Sequence, residues 1–369
     1  MKEIRAIVGA YKNIDLSKTK AALATVVGIE GSSYRRTGAR MLVLDDGQYL
    51  GGISGGCLEG DALRRAQKAI AADTSSVIPY DTLLEDSHQI GIGLGCQGII
   101  HVLFTPLHPE DSSNPVELLS TLTKTRIPRV MITISAIEGN DQLLGKAWIY
   151  EDDKQFGEVF PIKEIRCPLM DDIRQSLQDF GSKTISYPSG NSSVEIFIEL
   201  ILPPIQLMIF GGNYDIYPLV RMAGELGWDC ALVANLNKVD RRLVSDGTRL
   251  IHQQSTEELV VDPYTAVVIM SHDYKMDLHL LEKMIPTHPR YLGLLGPRKR
   301  VVKMFAALAF AGKALSLEDR DRIFAPAGLD IGANSPEEIA LSILAEIQCQ
   351  FNGRPSGFLK LKEGTIHEN

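Results

Sequence analysis

Cysteine is scarce in this chain: five residues among 369, an odd number, and no CxxC spacing. A disulfide framework is thereby excluded, and nothing in the spacing supports a four-ligand zinc site. No uncharged apolar run approaches the roughly 20 residues of a membrane span, and residues 1–15 lack the sustained apolar core of a signal peptide. Free thiols persist in a reducing compartment, so a cytoplasmic protein is expected, with no membrane association. Basic clusters are equally thin. Arg35-Arg36, Arg64-Arg65 and Arg298-Lys299-Arg300 stand alone in a chain of net charge −8, which argues against nucleic acid and suits small anions. With 44% hydrophobic and 23% charged residues the chain is globular, and its length predicts two or three domains.

What the chain does have is glycine in unusual places. The first half reads as α+β, with a helix and turn over residues 1–19, strands at 22–29 and 40–44, a helix at about 58–72 and a strand at 99–104. The next stretch repeats the order. Ile29-Glu30-Gly31 is echoed by Ile137-Glu138-Gly139, Val77-Ile78-Pro79-Tyr80 by Thr184-Ile185-Ser186-Tyr187, and Cys57 has a rough counterpart in Cys167. An internal duplication is expected, with copies at about 20–108 and 125–203. Chance likeness of two β-rich segments is the alternative.

Three glycine loops distinguish the first copy, which is therefore expected to carry the chemistry. Gly31-Ser32-Ser33-Tyr34-Arg35-Arg36 offers backbone amides and two guanidinium groups to an anion. Gly51-Gly52-Ile53-Ser54-Gly55-Gly56-Cys57-Leu58-Glu59 spends four glycines just before a helix. It sets Cys57 where exposed amide hydrogens stabilise a thiolate, with Glu59 in the first turn partly opposing that effect. A small thiol packed under a tight turn is the alternative. Gly93-Leu94-Gly95-Cys96 sets a second cysteine among glycines. Together the loops predict a ligand pocket containing Ser54, Gly55, Gly56, Cys57, Glu59 and Cys96, while Cys167, Cys230 and Cys349 stand in ordinary contexts and read as structural.

Pro203-Pro204 marks a boundary, and beyond it strands alternate with helices. Strands at 206–210, 230–234, 249–252, 266–270 and 291–295 and helices at 216–226, 276–285, 298–311 and 337–349 predict a Rossmann-like, doubly wound parallel sheet over 204–369. Gly211-Gly212-Asn213 occupies the place of a dinucleotide fingerprint. Asn213 replaces the second motif glycine, Ile216 the third, and Asn235 stands where an acid would bind ribose. These departures argue against NAD(P). His272 and Asp273 follow a strand at the ligand-binding edge, Asp273 also suiting a helix cap. Arg298 and Arg300 open a helix, where positive charge calls for an anion such as Asp330, a ligand or a partner. Ser335-Pro336-Glu337-Glu338 reads as a capping box.

These motifs, with Ser271-His272-Asp273-Tyr274, the run from Tyr291 to Arg298 and Gly328-Leu329-Asp330-Ile331-Gly332-Ala333, make the chain resemble the XdhC/CoxI family. The resemblance spans both ends of the chain. It implies a molybdenum-cofactor chaperone that protects the cofactor and inserts it, after sulfuration, into a molybdenum hydroxylase such as xanthine dehydrogenase. It implies a maturation factor rather than a dehydrogenase. The implied partners are that client, a cysteine desulfurase and, in a homodimer, a second copy. Arg35 and Arg36 would meet the cofactor's phosphate, and Cys57 and Cys96 would lie near molybdenum or sulfur. The rival is an NAD(P)-binding oxidoreductase using the C-terminal sheet.

Overall fold

The computed structural model describes residues 1–31, 33–81, 98–190, 192–255 and 259–362. Cys96 and its glycine run lie outside the described residues, as does Ser32. The chain divides into two compact units that part between Pro203 and Pro204.

The first unit opens with α1 (Lys2–Lys12), β1 (Ala21–Gly31), β2 (Arg40–Leu44), β3 (Tyr49–Gly51), α2 (Glu59–Ala72), β4 (Ser76–Asp81) and β5 (Gly98–Leu107). It continues with α3 (Pro115–Leu122), β6 (Arg129–Ile137), β7 (Ala147–Tyr150), α4 (Asp153–Val159), α5 (Arg166–Asp179), β8 (Lys183–Ser189) and β9 (Ser192–Ile201). The strands form two antiparallel sheets, ordered β3-β2-β1-β5-β4 and β7-β6-β9-β8.

Apart from β3, the two orders are the same, and local details recur at a spacing of 107 or 108 residues. A β-bulge falls between Val26 and Gly28 in one sheet and between Ile134 and Ala136 in the other. Gly38 donates its amide to Val26 O (2.8 Å), as Gly145 does to Ile134 O (2.9 Å). Helices α2 and α5 both end on a left-handed residue, Asp73 and Phe180. Tyr80 and Tyr187, also 107 apart, each donate a hydroxyl to a helix aspartate, Asp61 (2.9 Å) and Asp172 (2.7 Å), although the acceptor in the second half lies one helical turn further on.

The sheets also pack reciprocally. A Cβ on Gly38 would come within 2.6 Å of Glu199 Oε1 on β9, and one on Gly145 within 2.8 Å of Thr105 Oγ1 on β5. Val27, Leu103 and Phe197 fill the contact between them. Across it, Arg40 (1% exposed) and Glu199 (7%) form a buried ion pair with Nη1–Oε1 at 2.8 Å. On one face of the first sheet, α2 lays a stripe of Ala62, Ala66, Ala69 and Ile70 against β1, β2 and β5. The small side chains at helical spacing allow helix and sheet to approach closely.

Cys167 is not the equivalent of Cys57. It lies inside the first turn of α5 and is exposed; the 107-residue spacing that aligns the helix ends puts Glu164 opposite Cys57.

The second unit contains β10 (Gln206–Phe210), α6 (Ile216–Glu225), β11 (Asp229–Ala234), β12 (Arg249–His252), β13 (Thr265–Ile269), α7 (Tyr274–Met284), β14 (Tyr291–Leu294), α8 (Arg298–Phe310), α9 (Leu317–Asp321), β15 (Ile323–Phe324) and α10 (Pro336–Phe351). Its six strands are all parallel, in the order β12-β11-β10-β13-β14-β15. In chain order this is 3-2-1-4-5-6, the Rossmann arrangement, whose switch point falls between β10 and β13. The central strands are buried along their whole length, as a sheet covered on both faces requires. Ser335 and Glu338 make the reciprocal capping box that starts α10, with Pro336 at its first position. No helix of the described residues is long and apolar enough to cross a membrane.

Candidate functional site

The glycine loop before α2 is built around one side chain. Glu59, the first residue of α2, is 8% exposed and turns its carboxylate back beyond the helix start. Oε1 accepts from the amides of Ile53 (3.1 Å), Ser54 (2.9 Å) and Gly55 (3.1 Å). Oε2 accepts from the Gly56 amide (2.8 Å) and the Ser54 hydroxyl (2.7 Å). Ser54 Oγ in turn accepts from the amides of Cys57 (3.2 Å) and Leu58 (2.9 Å). Burial alone would push the Glu59 carboxyl up, but the Ser54 hydroxyl and the converging amides outweigh it and hold the pKa at about 2.

This corrects the sequence reading at one point. The freed amides expected to stabilise a Cys57 thiolate are aimed at Glu59. Cys57 lies just ahead of the helix, preceding the N-cap residue Leu58, and is half-buried as a free thiol.

The loop's conformation needs glycine for reasons internal to the chain. Gly51 has φ +90°, and a Cβ there would run into Arg40 O. Gly55 has φ +98° and lies under the ring of Tyr34, which a Cβ would meet at 2.7 Å. Tyr34 therefore brings the arginine loop onto the cysteine loop, and its own ring is 69% exposed.

Arg35 is paired with Glu3, whose other oxygen accepts the Arg40 amide (3.0 Å). Ser33 Oγ is buried with no hydrogen-bond partner among the described residues. Gly31 ends β1 with φ +78°. A cavity of about 380 Å³ opens beside this loop, lined by Met1, Glu3, Ile4 and residues 34–39, Arg36 among them. Its size falls within the about 300–1,000 Å³ usual for small-molecule sites. Neither Tyr34 nor Glu3 was foreseen from sequence.

A larger cavity of about 770 Å³ lies in the same unit near Thr105, His108 and Lys146. Its basic side chains meet carboxylates of the same wall, Lys146 pairing with Asp111 and His108 lying 2.8 Å from Asp73. Arg35 and Glu3 make a comparable pair, so charge does not separate the two cavities. The loop cavity is the better candidate because Ser33 Oγ on its loop has no partner among the described residues and the adjoining loop carries the free Cys57 thiol.

In the second unit, a crevice of about 230 Å³ sits at the switch point, lined by Gly211, Gly212, Asn213, Asn235, Lys238, Ser271 and Asp273 among others. Gly211 is required by packing, since a Cβ there would lie 2.6 Å from Met270 O. Asn235 spends its side-chain oxygen on the Asn237 amide (3.1 Å). Asp273 caps α7 through the Met276 amide (2.8 Å). His272 has a left-handed backbone (φ +62°), and its Nε2 meets Asp215 Oδ2 at 2.6 Å, joining the loops after β10 and β13.

The arginine reading also changes. Arg300 is neutralised by Asp277, a carboxylate 2% exposed on α7. Among the described residues Arg298 and Asp330 do not pair, so Asp330 is not the compensating anion. No group of three or more His, Cys, Asp or Glu side chains poised for a metal ion occurs among the described residues.

Two family models match the chain: the XdhC and CoxI family over residues 16–81, and the XdhC Rossmann domain over residues 207–347. A probable xanthine dehydrogenase subunit from Bacillus subtilis is 30% identical over 337 residues, covering 89% of this chain and 92% of that protein. The molybdenum cofactor insertion chaperone PaoD of Escherichia coli is 26% identical over 332 residues, covering 90% and 84%. The crystal structure of a xanthine dehydrogenase from Bacillus halodurans superposes with a TM-score of 0.75 at 26% identity, covering 96% of this chain and 97% of that one.

Proposed function

Because the chain belongs to the XdhC and CoxI family, we propose that it carries molybdenum cofactor as cargo and hands it, sulfurated, to a molybdenum hydroxylase. The observation that carries this reading is the meeting of the two loops at Tyr34 and Gly55. It puts a free thiol, Cys57, on the loop that adjoins the arginine loop and its cavity. The pairing suits the cargo's two ends. A soft thiol matches a molybdenum–sulfur centre, and guanidinium groups on the Arg35-Arg36 loop match a phosphate. Ser33 Oγ, buried and without a hydrogen-bond partner among the described residues, supports a polar group being taken up at this loop. The relative named as an insertion chaperone supports the same role.

The two sheets of residues 1–203 are copies of one unit in this reading, with the cargo-binding chemistry in the first. Cys96, outside the described residues, is the second thiol that the sequence offers to the cargo. A cysteine desulfurase supplies the terminal sulfur, and the client is of the xanthine dehydrogenase type. The second unit offers Gly211, Gly212, Asn213, His272 and Asp273 at its switch point. Asn213 and Asn235, which line its crevice, and Ile216 depart from the dinucleotide fingerprint, which argues against a resident dinucleotide.

The test is retention of cargo. The purified chain is incubated with molybdenum cofactor, desalted, and assayed for molybdenum and pterin per chain. Cys57→Ala, with its circular dichroism unchanged, is expected to lose retention by about 10–100-fold, as when a metal's immediate environment is disturbed. Full retention and transfer by that variant would remove Cys57 from the site. A micromolar NADPH affinity would instead favour an oxidoreductase.

A further inference from the structure

We propose that Glu59 is the positioning residue of the cysteine loop, an internal anion that fills the loop's amide nest and leaves the Cys57 thiol as the group offered to cargo. This rests on the reading of Cys57 given above and adds which end of the cargo the loop addresses.

A run of consecutive amides turned inward is an anion-binding concavity, and in many proteins such nests hold phosphate. Here the nest is already occupied. Four amides and one hydroxyl converge on a carboxylate of the same chain, each at 3.1 Å or less. Gly52, which lacks a left-handed backbone, is accounted for too: a Cβ on it would sit 3.1 Å from Glu59 Oε1. Glycine at 51, 52 and 55 thus answers to Arg40, Glu59 and Tyr34 respectively, and close approach of a ligand phosphate is not needed to explain it.

Displacing the carboxylate would strip it of five hydrogen bonds and expose it to the repulsion of the incoming phosphate. Hydrogen bonds to an ionised group are among the stronger ones, so exchange is disfavoured. The loop therefore does not read a phosphate. The same bonds fix the path of residues 53–56, and Ser54 Oγ, itself held by Glu59, fixes the amide of Cys57. Glu59 acts on cargo through Cys57 and not by touching it.

Chemical rescue tests this without needing cargo. The full chain is treated with iodoacetamide, and alkylation of Cys57 is followed on its own peptide by mass spectrometry. Wild type, Glu59→Gln and Glu59→Ala are compared, each alone, with acetate, and with inorganic phosphate. Gln keeps one acceptor oxygen for three amides and turns an NH2 toward Gly56, so the loop is partly loosened; Ala empties the nest.

The expected order of labelling rate is wild type, then Gln, then Ala, with Ala at least about fivefold faster than wild type, equivalent to about 1 kcal/mol. Acetate, and phosphate less specifically, should slow Ala back toward wild type while leaving wild type unchanged. A merely structural role would not produce rescue by a small anion. Equal labelling of folded wild type and Gln, absence of rescue in folded Ala, or protection of wild-type Cys57 by inorganic phosphate would each overturn the proposal. If Ala fails to fold, the Gln comparison decides. Cargo retention, measured separately, distinguishes the two readings. Altered labelling with intact retention upholds the positioning role and refutes the cargo role of Cys57.

Discussion

The ion pair between Arg40 and Glu199 offers the sharpest quantitative test of how the first unit is built. The perturbation is Glu199→Gln. Arg40 Nη1 is bonded to Glu199 Oε1 (2.8 Å) and to Gly38 O (2.7 Å), while Nη2 meets Oε2. With both side chains at least 93% buried, water cannot take over when the charge is removed. Breaking one side of such a pair costs about 3–5 kcal/mol, and a glutamine that keeps one acceptor belongs at the lower end, about 3 kcal/mol. Arg40→Met, which strands the carboxylate, should cost as much or more.

The double variant Arg40→Met with Glu199→Leu should behave differently. The corresponding positions in the other half are Ala147 and Thr105, so this contact geometry does not itself require charge. The double loss should stay below about 2 kcal/mol; with about 3 kcal/mol each for Arg40→Met and Glu199→Leu measured singly, the coupling between the sites is about 4 kcal/mol. The assay is urea unfolding followed by Trp148, in a background carrying Trp228→Phe so that the first unit alone reports. Because the pair is buried, the loss should change little with salt. Additive single losses, or a Glu199→Gln cost below about 1 kcal/mol, would refute the reasoning.

Two further outcomes follow from the glycine loop. The Glu59 carboxyl is held at about 2 against an ordinary 4.5, so its contribution is complete above about pH 5 and is lost as pH falls toward 2. The difference corresponds to about 3 kcal/mol. Unfolding midpoints at pH 7 and pH 3 should therefore converge between wild type and Glu59→Gln as the pH falls; a gap that widens instead contradicts the structure. Gly51→Ala should destabilise more than Gly139→Ala. Both positions are left-handed (φ +90° and +78°), but only the first would also press a Cβ into Arg40 O, the second having open space. The left-handed penalty alone is about 1–2 kcal/mol, and equal losses measured by thermal unfolding would count against the described loop path.

The parallel sheet was legible because its signal is local: buried β-branched runs alternating with helices at short spacing. The two-residue β15 was not, since Ile323-Phe324 is too short for periodicity to register. The loops were legible as places but not as bonding patterns. Glu59 reads in sequence as a first-turn acid serving the helix dipole, and only the folded loop shows its carboxylate turned outward past the helix start. Arg40 and Glu199 are 159 residues apart, beyond any spacing argument. Asp277 behaved similarly, because its pairing with Arg300 crosses from α7 to α8.

That division separates the family's motif residues by their use. Arg40 is spent on Glu199, Glu59 on its own loop, Gly51 on Arg40 O and Gly211 on Met270 O. A motif match at these positions reports a shared way of folding and is satisfied without any ligand. The second half of the first unit supplies the contrast. Its helix α5 is entered through a short 3-10 turn at Lys163–Ile165, with Ile165 as cap and no side-chain capping bond. It has neither the glycine run nor a carboxylate turned back on freed amides. What the first half adds over the second is thus a preorganised loop around one thiol, beside an arginine loop whose Ser33 hydroxyl has no partner among the described residues. Preorganisation is the property expected of a binding site, and it supports the proposal that the cargo-binding chemistry sits at Cys57 rather than at the more numerous residues that hold it there.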